Sequence, residues 1–417
     1  MKKSLLAVAA IGAFASAAQA QSSVTVYGIL DVGFVGSHYN GTSAGTVNAA
    51  NVGTGIAGSP SVNASSAGFG QSAESTSRIG FKGSEDLGGG LAAIFTVETA
   101  LSPNQAASAF AFNRQTFAGL SKSGLGKATL GTQYTPIFDV MATTDAAGMN
   151  NLTGNAVYTG NLQSSTGTYN DGVTAYTSSG SAPTSFNAPS GAYVTRASNA
   201  LKLQSDRMAG VQVQAFYAQA NQSQTNAAYN GGNNNNTAFG VNADYVWNKL
   251  NVVAAYQSFR AINGTAAIPT SGFKAPGGTA ADFGTNGSNN STYAAATYDF
   301  GIVKGYAQYI TNKAFAAVDN NFGTSRTAYQ LGAKSFITPT ISLYATYGLG
   351  KSSYAQAGSA YANFRTMQVG SDYYLSKRTN LYVAYGAFNQ SSPNSAAVST
   401  VSSLSGMNYA TGIRHTF

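Results

Sequence analysis

What most restricts the fold of this chain is an apolar pattern of period two, carried on segments about ten residues long, with no apolar run long enough for a membrane-spanning helix. Between Thr340 and Lys351, Ile341, Leu343, Ala345, Tyr347 and Leu349 fall on one face, and Ser342, Tyr344, Thr346 and Gly348 on the other. Successive side chains of a strand point to opposite sides, so this segment is a strand with one apolar and one small or polar face. Roughly ten residues is the length a tilted strand needs to cross a bilayer. A chain of this kind enters a membrane as strands.

The connections point the same way. Short ones stand at Leu87 to Gly90, Ser123 to Gly126, Arg207 to Ala209, Asn248-Lys249, Gly301, Thr338-Pro339 and Ser376 to Thr379. They alternate with long ones near 37–75, 102–111, 135–193, 222–236, 261–289, 313–325, 352–361 and 391–405, rich in Gly, Ser, Asn and Ala. Short turns at one rim and long loops at the other are the layout of an outer-membrane barrel. The segments between them predict strands at 22–36, 76–86, 91–101, 112–122, 127–134, 194–206, 210–221, 237–247, 250–260, 290–300, 302–312, 326–337, 340–351, 362–375, 380–390 and 406–417. The expected fold is therefore an all-β, antiparallel, sixteen-stranded transmembrane barrel, with short periplasmic turns, long extracellular loops and no unpaired edge in lipid. A barrel of that size encloses an aqueous lumen, and the connection at 135–193 is long enough to fold inward and narrow it.

Composition fits this reading. Only 9% of the 417 residues are charged, against roughly 25% in a soluble domain, while Gly, Tyr and Phe number 48, 25 and 22. The absence of cysteine excludes disulfide scaffolds and thiol chemistry, and no cofactor or metal is expected. Lys2 and Lys3, the apolar stretch Leu5 to Ala18, and Ala18-Gln19-Ala20 predict a cleaved secretory signal peptide at 1–20, leaving one barrel domain at 21–417. The mature chain then carries 20 basic and 14 acidic residues spread along its length, which makes no patch for nucleic acid. A hydrolytic enzyme is disfavoured because the two histidines, His38 in the first long loop and His415 at the other end of a strand, are not placed to build a triad. Glu85-Asp86 reads as a strand terminus, since neighbours on a strand face opposite ways, and Gly124 to Lys127 lacks the first glycine and the Ser/Thr of a phosphate loop.

Several stretches resemble the general porins of Gram-negative outer membranes, most closely the beta-proteobacterial branch. They are SSVTVYGILDVGF at Ser22 to Phe34, SRIGFKGSEDLGGGLAAIFTVE at Ser77 to Glu98, NRQTFAGLS at Asn113 to Ser121, LGTQY at Leu130 to Tyr134, SKRTNLYVAYG at Ser376 to Gly386, and the final GIRHTF. The resemblance implies a homotrimeric, water-filled diffusion pore for ions and small solutes, embedded in outer-membrane lipid and lipopolysaccharide, with its third loop folded inward. It also implies that Phe417, with Ile413 and Tyr409 on its face, is the terminal signature read by the barrel-assembly machinery.

Strand parity places Arg78 and Lys82 opposite to Ile79 and Phe81, hence in the lumen, and gives Arg114 the opposite parity to Phe117. Arg78 and Arg114 each stand nine residues before a short turn, so they share a height, and Arg196 follows the third loop into the same zone. These arginines match the basic wall of the family's constriction, while Asp139 and Asp145 match acidic positions on the inward loop. Opposed charges across a waist create a transverse field that sorts anions from cations. The balance predicts weak anion preference. The chain departs from the family in lacking the proline-glutamate-phenylalanine-glycine motif, with Met149 in place of its acid, and in having Thr132 and Thr135 where relatives carry Arg and Asp. A substrate-specific channel for a sugar or an organic anion is the rival reading, and it needs a continuous aromatic track in the lumen. Tyr347, Tyr373 and Phe417 instead have the parity of a lipid-facing girdle.

Overall fold

The computed structural model describes residues 23–42, 61–104, 110–158, 163–164, 167–168, 195–224, 232–263, 286–316, 323–354, 361–391 and 404–417. The expected signal peptide lies outside the described residues, as does most of the third loop beyond 158. The strands are β1 (Ser23–Thr42), β2 (Ser61–Gln71), β3 (Arg78–Gly88), β4 (Leu91–Leu101), β5 (Phe110–Lys122), β6 (Gly126–Tyr134), the two-residue pair β7 (Gln163–Ser164) and β8 (Gly167–Thr168), β9 (Arg196–Ser205), β10 (Val211–Gln224), β11 (Gly232–Trp247), β12 (Leu250–Asn263), β13 (Asn286–Asp299), β14 (Lys304–Ala316), β15 (Gly323–Thr338), β16 (Ile341–Tyr354), β17 (Tyr361–Tyr374), β18 (Thr379–Gln390) and β19 (Leu404–Thr416). A helix, α1 (Pro136–Thr144), follows β6.

Each strand pairs antiparallel with its neighbour, and β1 pairs with β19, from Ile29 opposite Thr416 to Gly41 opposite Leu404. The ring is thus closed without a free edge. It has sixteen wall positions because β2 and β3 share one: β2 pairs with the upper part of β1, from Val32 to Thr42, and β3 with the lower part, from Ser23 to Ile29. Residues 72–77 leave the wall between them.

Several strands run beyond their expected ends. β1 continues to Thr42, which puts His38 in a strand, hydrogen-bonded through Nδ1 to Ser65 Oγ at 2.6 Å, rather than in a loop. Asn233 to Asn236, expected in a long loop, extend β11 and pair with residues Ser223 to Ala220 of β10. The reason is that hairpin ladders continue outside the bilayer, where polar side chains are solvated on both faces and period-two hydrophobicity vanishes although pairing persists.

Within the bilayer zone the alternation is clean. Leu343, Tyr347 and Leu349 are exposed on the outside of β16, while Ser342, Tyr344 and Thr346 are buried within. Tyr373 and Phe417 are likewise exposed outward. Asp86 closes its strand by accepting the Gly88 amide at 2.9 Å, as a strand terminus should.

Candidate functional site

The lumen is narrowed by the start of the third loop. Pro136 begins α1 with its fixed φ, and Ile137, Val140, Met141 and Thr144 form one buried stripe at helical spacing. That stripe packs on inward-facing Val253, Ala255, Tyr293, Ala295 and Ile310, so a set of small and apolar residues inside the barrel wall receives the helix. Beyond it the chain follows the wall and is tied by inward-facing amides. Gln330 accepts from the Ala156 amide at 2.8 Å, and Gln368 donates to the carbonyls of Leu152 and Thr153, both at 2.9 Å. Gly386 allows the closest approach: a Cβ there would stand 1.9 Å from the Thr153 carbonyl oxygen. None of these anchors was singled out in the sequence, where inward glutamines and glycines are indistinguishable from any polar lumen residue.

Basic and aromatic side chains form a connected ladder that ends on the helix. Lys82 Nζ lies 5.4 Å from the Tyr27 ring centre, and the Tyr27 hydroxyl donates to Glu98 at 3.1 Å. The other Glu98 oxygen accepts from Arg114 Nε at 2.7 Å, and Arg114 Nη2 donates to the Tyr134 hydroxyl at 2.6 Å. Arg196 stands over the Tyr134 ring at 5.6 Å, and that ring stacks on Phe138 of α1 with centres 4.2 Å apart. Arg78 donates to the Thr76 carbonyl at 3.0 Å and to Ser75 Oγ at 3.2 Å, and among the described residues a carboxylate is not among its partners. On the third loop, burial raises the phenol of Tyr158 above its ordinary value, and the charges of Arg114, Arg196 and Arg78 act against that rise.

The expected opposition of parity between Arg114 and Phe117 is incorrect. Phe117 pairs with Thr96, itself opposite Lys82, so it faces the lumen too. Arg114 joins that side because the β4–β5 register slips between Glu98 and Thr99, where Gln115 and then Asn113 are the partners. A bulge of this kind interrupts the ladder locally and re-aims one side chain.

The two loop acids lie apart from the arginines. Asp139 forms an ion pair with Lys202 of β9, a base the sequence reading did not select. Asp145 ends α1 and shapes the turn that follows, accepting the Met149 amide at 2.7 Å, Asn155 Nδ2 at 3.2 Å and Gln330 Nε2 at 3.1 Å. Burial raises both carboxyls above their ordinary value, opposed at Asp139 first by Lys202 and at Asp145 first by the Met149 amide. At the seam, Phe417 exchanges both backbone hydrogen bonds with Gly28 at 3.1 Å, and Tyr409, Ile413 and Phe417 share the outer face of β19.

A closed ring of sixteen wall positions, apolar outside, polar inside and crossed by its own third loop, defines a transmembrane β-barrel with a constricted lumen. The chain belongs to the Gram-negative porin family, whose model matches residues 7–393. It is 38% identical over 136 residues to an outer membrane porin protein of Bordetella pertussis, covering 32% of this chain and 34% of that one. It is 39% identical over 137 residues to outer membrane porin protein 32 of Delftia acidovorans, covering 33% of each. The chain therefore aligns with about a third of the length of these relatives. Among solved structures, an anion-selective porin from Comamonas acidovorans shares the fold with a TM-score of 0.63 and 21% identity, over 95% of this chain and 100% of that one.

Proposed function

We propose that this protein is a general diffusion porin of the outer membrane, passing ions and small hydrophilic solutes through a water-filled lumen with weak anion preference. The observation that carries the reading is the meeting of Arg114 and Arg196 at Tyr134, whose ring stacks on Phe138 where the third loop enters the barrel. Positive charge held at the waist lowers the energy of a passing anion and raises that of a cation. Glu98 offsets Arg114, and Asp139 offsets Lys202, which makes the preference weak. Asp145 acts through the shape of the loop. The anion selectivity named for the Comamonas acidovorans porin supports the sign.

We assign 1–20 to a cleaved signal peptide and 21–417 to the barrel domain. The working form is a homotrimer, supported by the trimer form of an outer membrane protein of Vibrio cholerae with a TM-score of 0.55. Its other partners are outer-membrane lipid, lipopolysaccharide and the barrel-assembly machinery, read through Tyr409, Ile413 and Phe417.

The stack of Tyr134 on Phe138 beside Arg114 and Arg196 favours a second reading, a channel selecting a planar organic anion. Against a longer aromatic track, Tyr293, Tyr344 and Tyr382 are buried and bonded through their hydroxyls to Thr144, Asn150 and Asp31. Liposome swelling with unrelated solutes of equal size separates the readings. Rates that follow size alone support general diffusion, and one solute class far above its size-matched neighbours supports the selective channel.

A further inference from the structure

Residues 72–77, where the β2–β3 wall is broken, are held inside the barrel by a dense set of bonds. Asp31 Oδ2 accepts the Glu74 and Ser75 amides at 2.8 and 2.6 Å, and Oδ1 accepts the Tyr382 hydroxyl at 2.7 Å. Ser77 Oγ accepts the Asp31 amide at 3.0 Å, and the third loop binds from the other side through the Asn151 amide to the Ala73 carbonyl at 2.9 Å. Six residues fixed this way leave little freedom for the side chain they present.

That side chain is Glu74. Its Oε1 meets Arg414 Nη1 at 2.9 Å, and its Oε2 accepts Asn380 Nδ2 at 3.0 Å. Asn380 Oδ1 in turn accepts Arg414 Nε at 3.0 Å, so one amide holds both partners of the pair. The next charges along the wall are Asp372 and Lys334, 3.5 Å apart. The Glu74 and Arg414 side chains keep 14% and 26% of their surface open, so the pair is part of the lumen lining rather than sealed in the wall.

We propose that Glu74 and Arg414 form a second charge station of the pore, in which the carboxylate on the inward turn cancels a lumen arginine and so limits anion preference. The inference rests on the pore reading above. Its logic is that Arg78 and Arg414 flank one short turn, and only Arg414 has a carboxylate supplied by that turn. Removing the carboxylate frees a second guanidinium beside Arg78. Burial raises the Glu74 carboxyl to about 7 with Arg414 pulling against that rise, so removing Arg414 leaves a net negative charge on the permeation path only well above neutral pH. Ions in a lumen narrowed by a loop pass within a Debye length of either group, about 8–10 Å at ordinary salt.

The test is the reversal potential in planar bilayers at about pH 9, where the Glu74 carboxyl is ionised, under a KCl gradient centred near 0.1 M, for the full protein and for Glu74→Gln, Arg414→Gln and the double variant. Gln keeps the amide contact with Asn380 and removes only charge. The chloride-to-potassium permeability ratio is expected to rise about two- to fivefold in Glu74→Gln and to fall by a similar factor in Arg414→Gln. The double variant should return close to the parent value. Conducting single variants with unshifted reversal potentials overturn the pair's role while leaving the pore reading intact. If one single variant does not insert, the other decides the matter by its own shift. A parent protein that inserts and passes no current overturns the pore reading, and the charge station with it.

Discussion

Arg114 and Glu98 meet at 2.7 Å inside the barrel with only 5% and 4% of their side chains exposed. The basic wall therefore includes its own counter-charge, and its arginines differ in kind. Arg114→Ala would leave the Glu98 carboxylate buried with the Tyr27 hydroxyl as its remaining partner, at a cost of about 3 kcal/mol. The expected outcome is a lower midpoint for loss of the folded barrel in urea. Arg78→Ala removes bonds to a carbonyl and a hydroxyl and should leave that midpoint nearly unchanged.

Docking of the third loop depends on close approach at the wall. In Gly386→Ala the new Cβ would collide with the Thr153 carbonyl and push residues near 153 into the lumen, away from Gln368. Single-channel recordings should show lower and noisier conductance. Gly68→Ala, at a position where a Cβ meets nothing within 4 Å, serves as the control and should match the parent.

Acidification should strengthen anion preference through Asp139. Burial holds its carboxyl above the ordinary value of 3.8, with Lys202 and then Lys127 pulling against it. As pH falls, Asp139 takes up its proton before exposed carboxylates do, and Lys202 loses its counter-charge. The permeability ratio should therefore move towards chloride above the pH at which exposed acids titrate. Asp139→Asn should show the acid-like ratio already at neutral pH and lose that step. A parent-like pH profile in the variant would assign the effect to another group.

The barrel was legible because lipid demands an apolar outer face and water a polar inner one, and Thr340 to Lys351 records both. The break at 72–77 was not, because Ser-Ala-Glu-Ser-Thr-Ser has the composition of a loop wherever it lies. Its inward course is set by Asp31, 43 residues before Glu74, a distance no local pattern spans. Arg78 and Lys82 followed simple parity, whereas Arg114 reached the lumen through a register slip that parity cannot foresee. Glu98 and Lys202 had inward parity, yet nothing local marks which acid meets which base across strands.

Barrel closure gives a further prediction. Phe417 completes the β1–β19 seam by two backbone bonds to Gly28, and its ring lies where a Cβ at Gly28 would come within 2.3 Å. Deleting Phe417 should slow assembly, seen as reduced outer-membrane yield in pulse labelling, while the barrels that do form conduct normally. Normal yield would remove the assembly role.

Topology is open to a clean test because the chain has no cysteine. Ser391, after β18, lies at the long-loop end, and Gly89 in the turn after β3 at the other. On intact cells a membrane-impermeant maleimide should label Ser391→Cys and spare Gly89→Cys. The reverse pattern would invert the barrel.

The most direct measurement of the central claim is the reversal potential of Arg78→Ala beside the parent in planar bilayers. In a gradient centred near 0.1 M KCl, the parent should favour chloride and the variant should shift towards potassium, with the difference shrinking near 1 M, where the Debye length is about 3 Å. Equal reversal potentials at low salt in two inserted, conducting proteins would contradict the assignment of ion preference to the arginine wall.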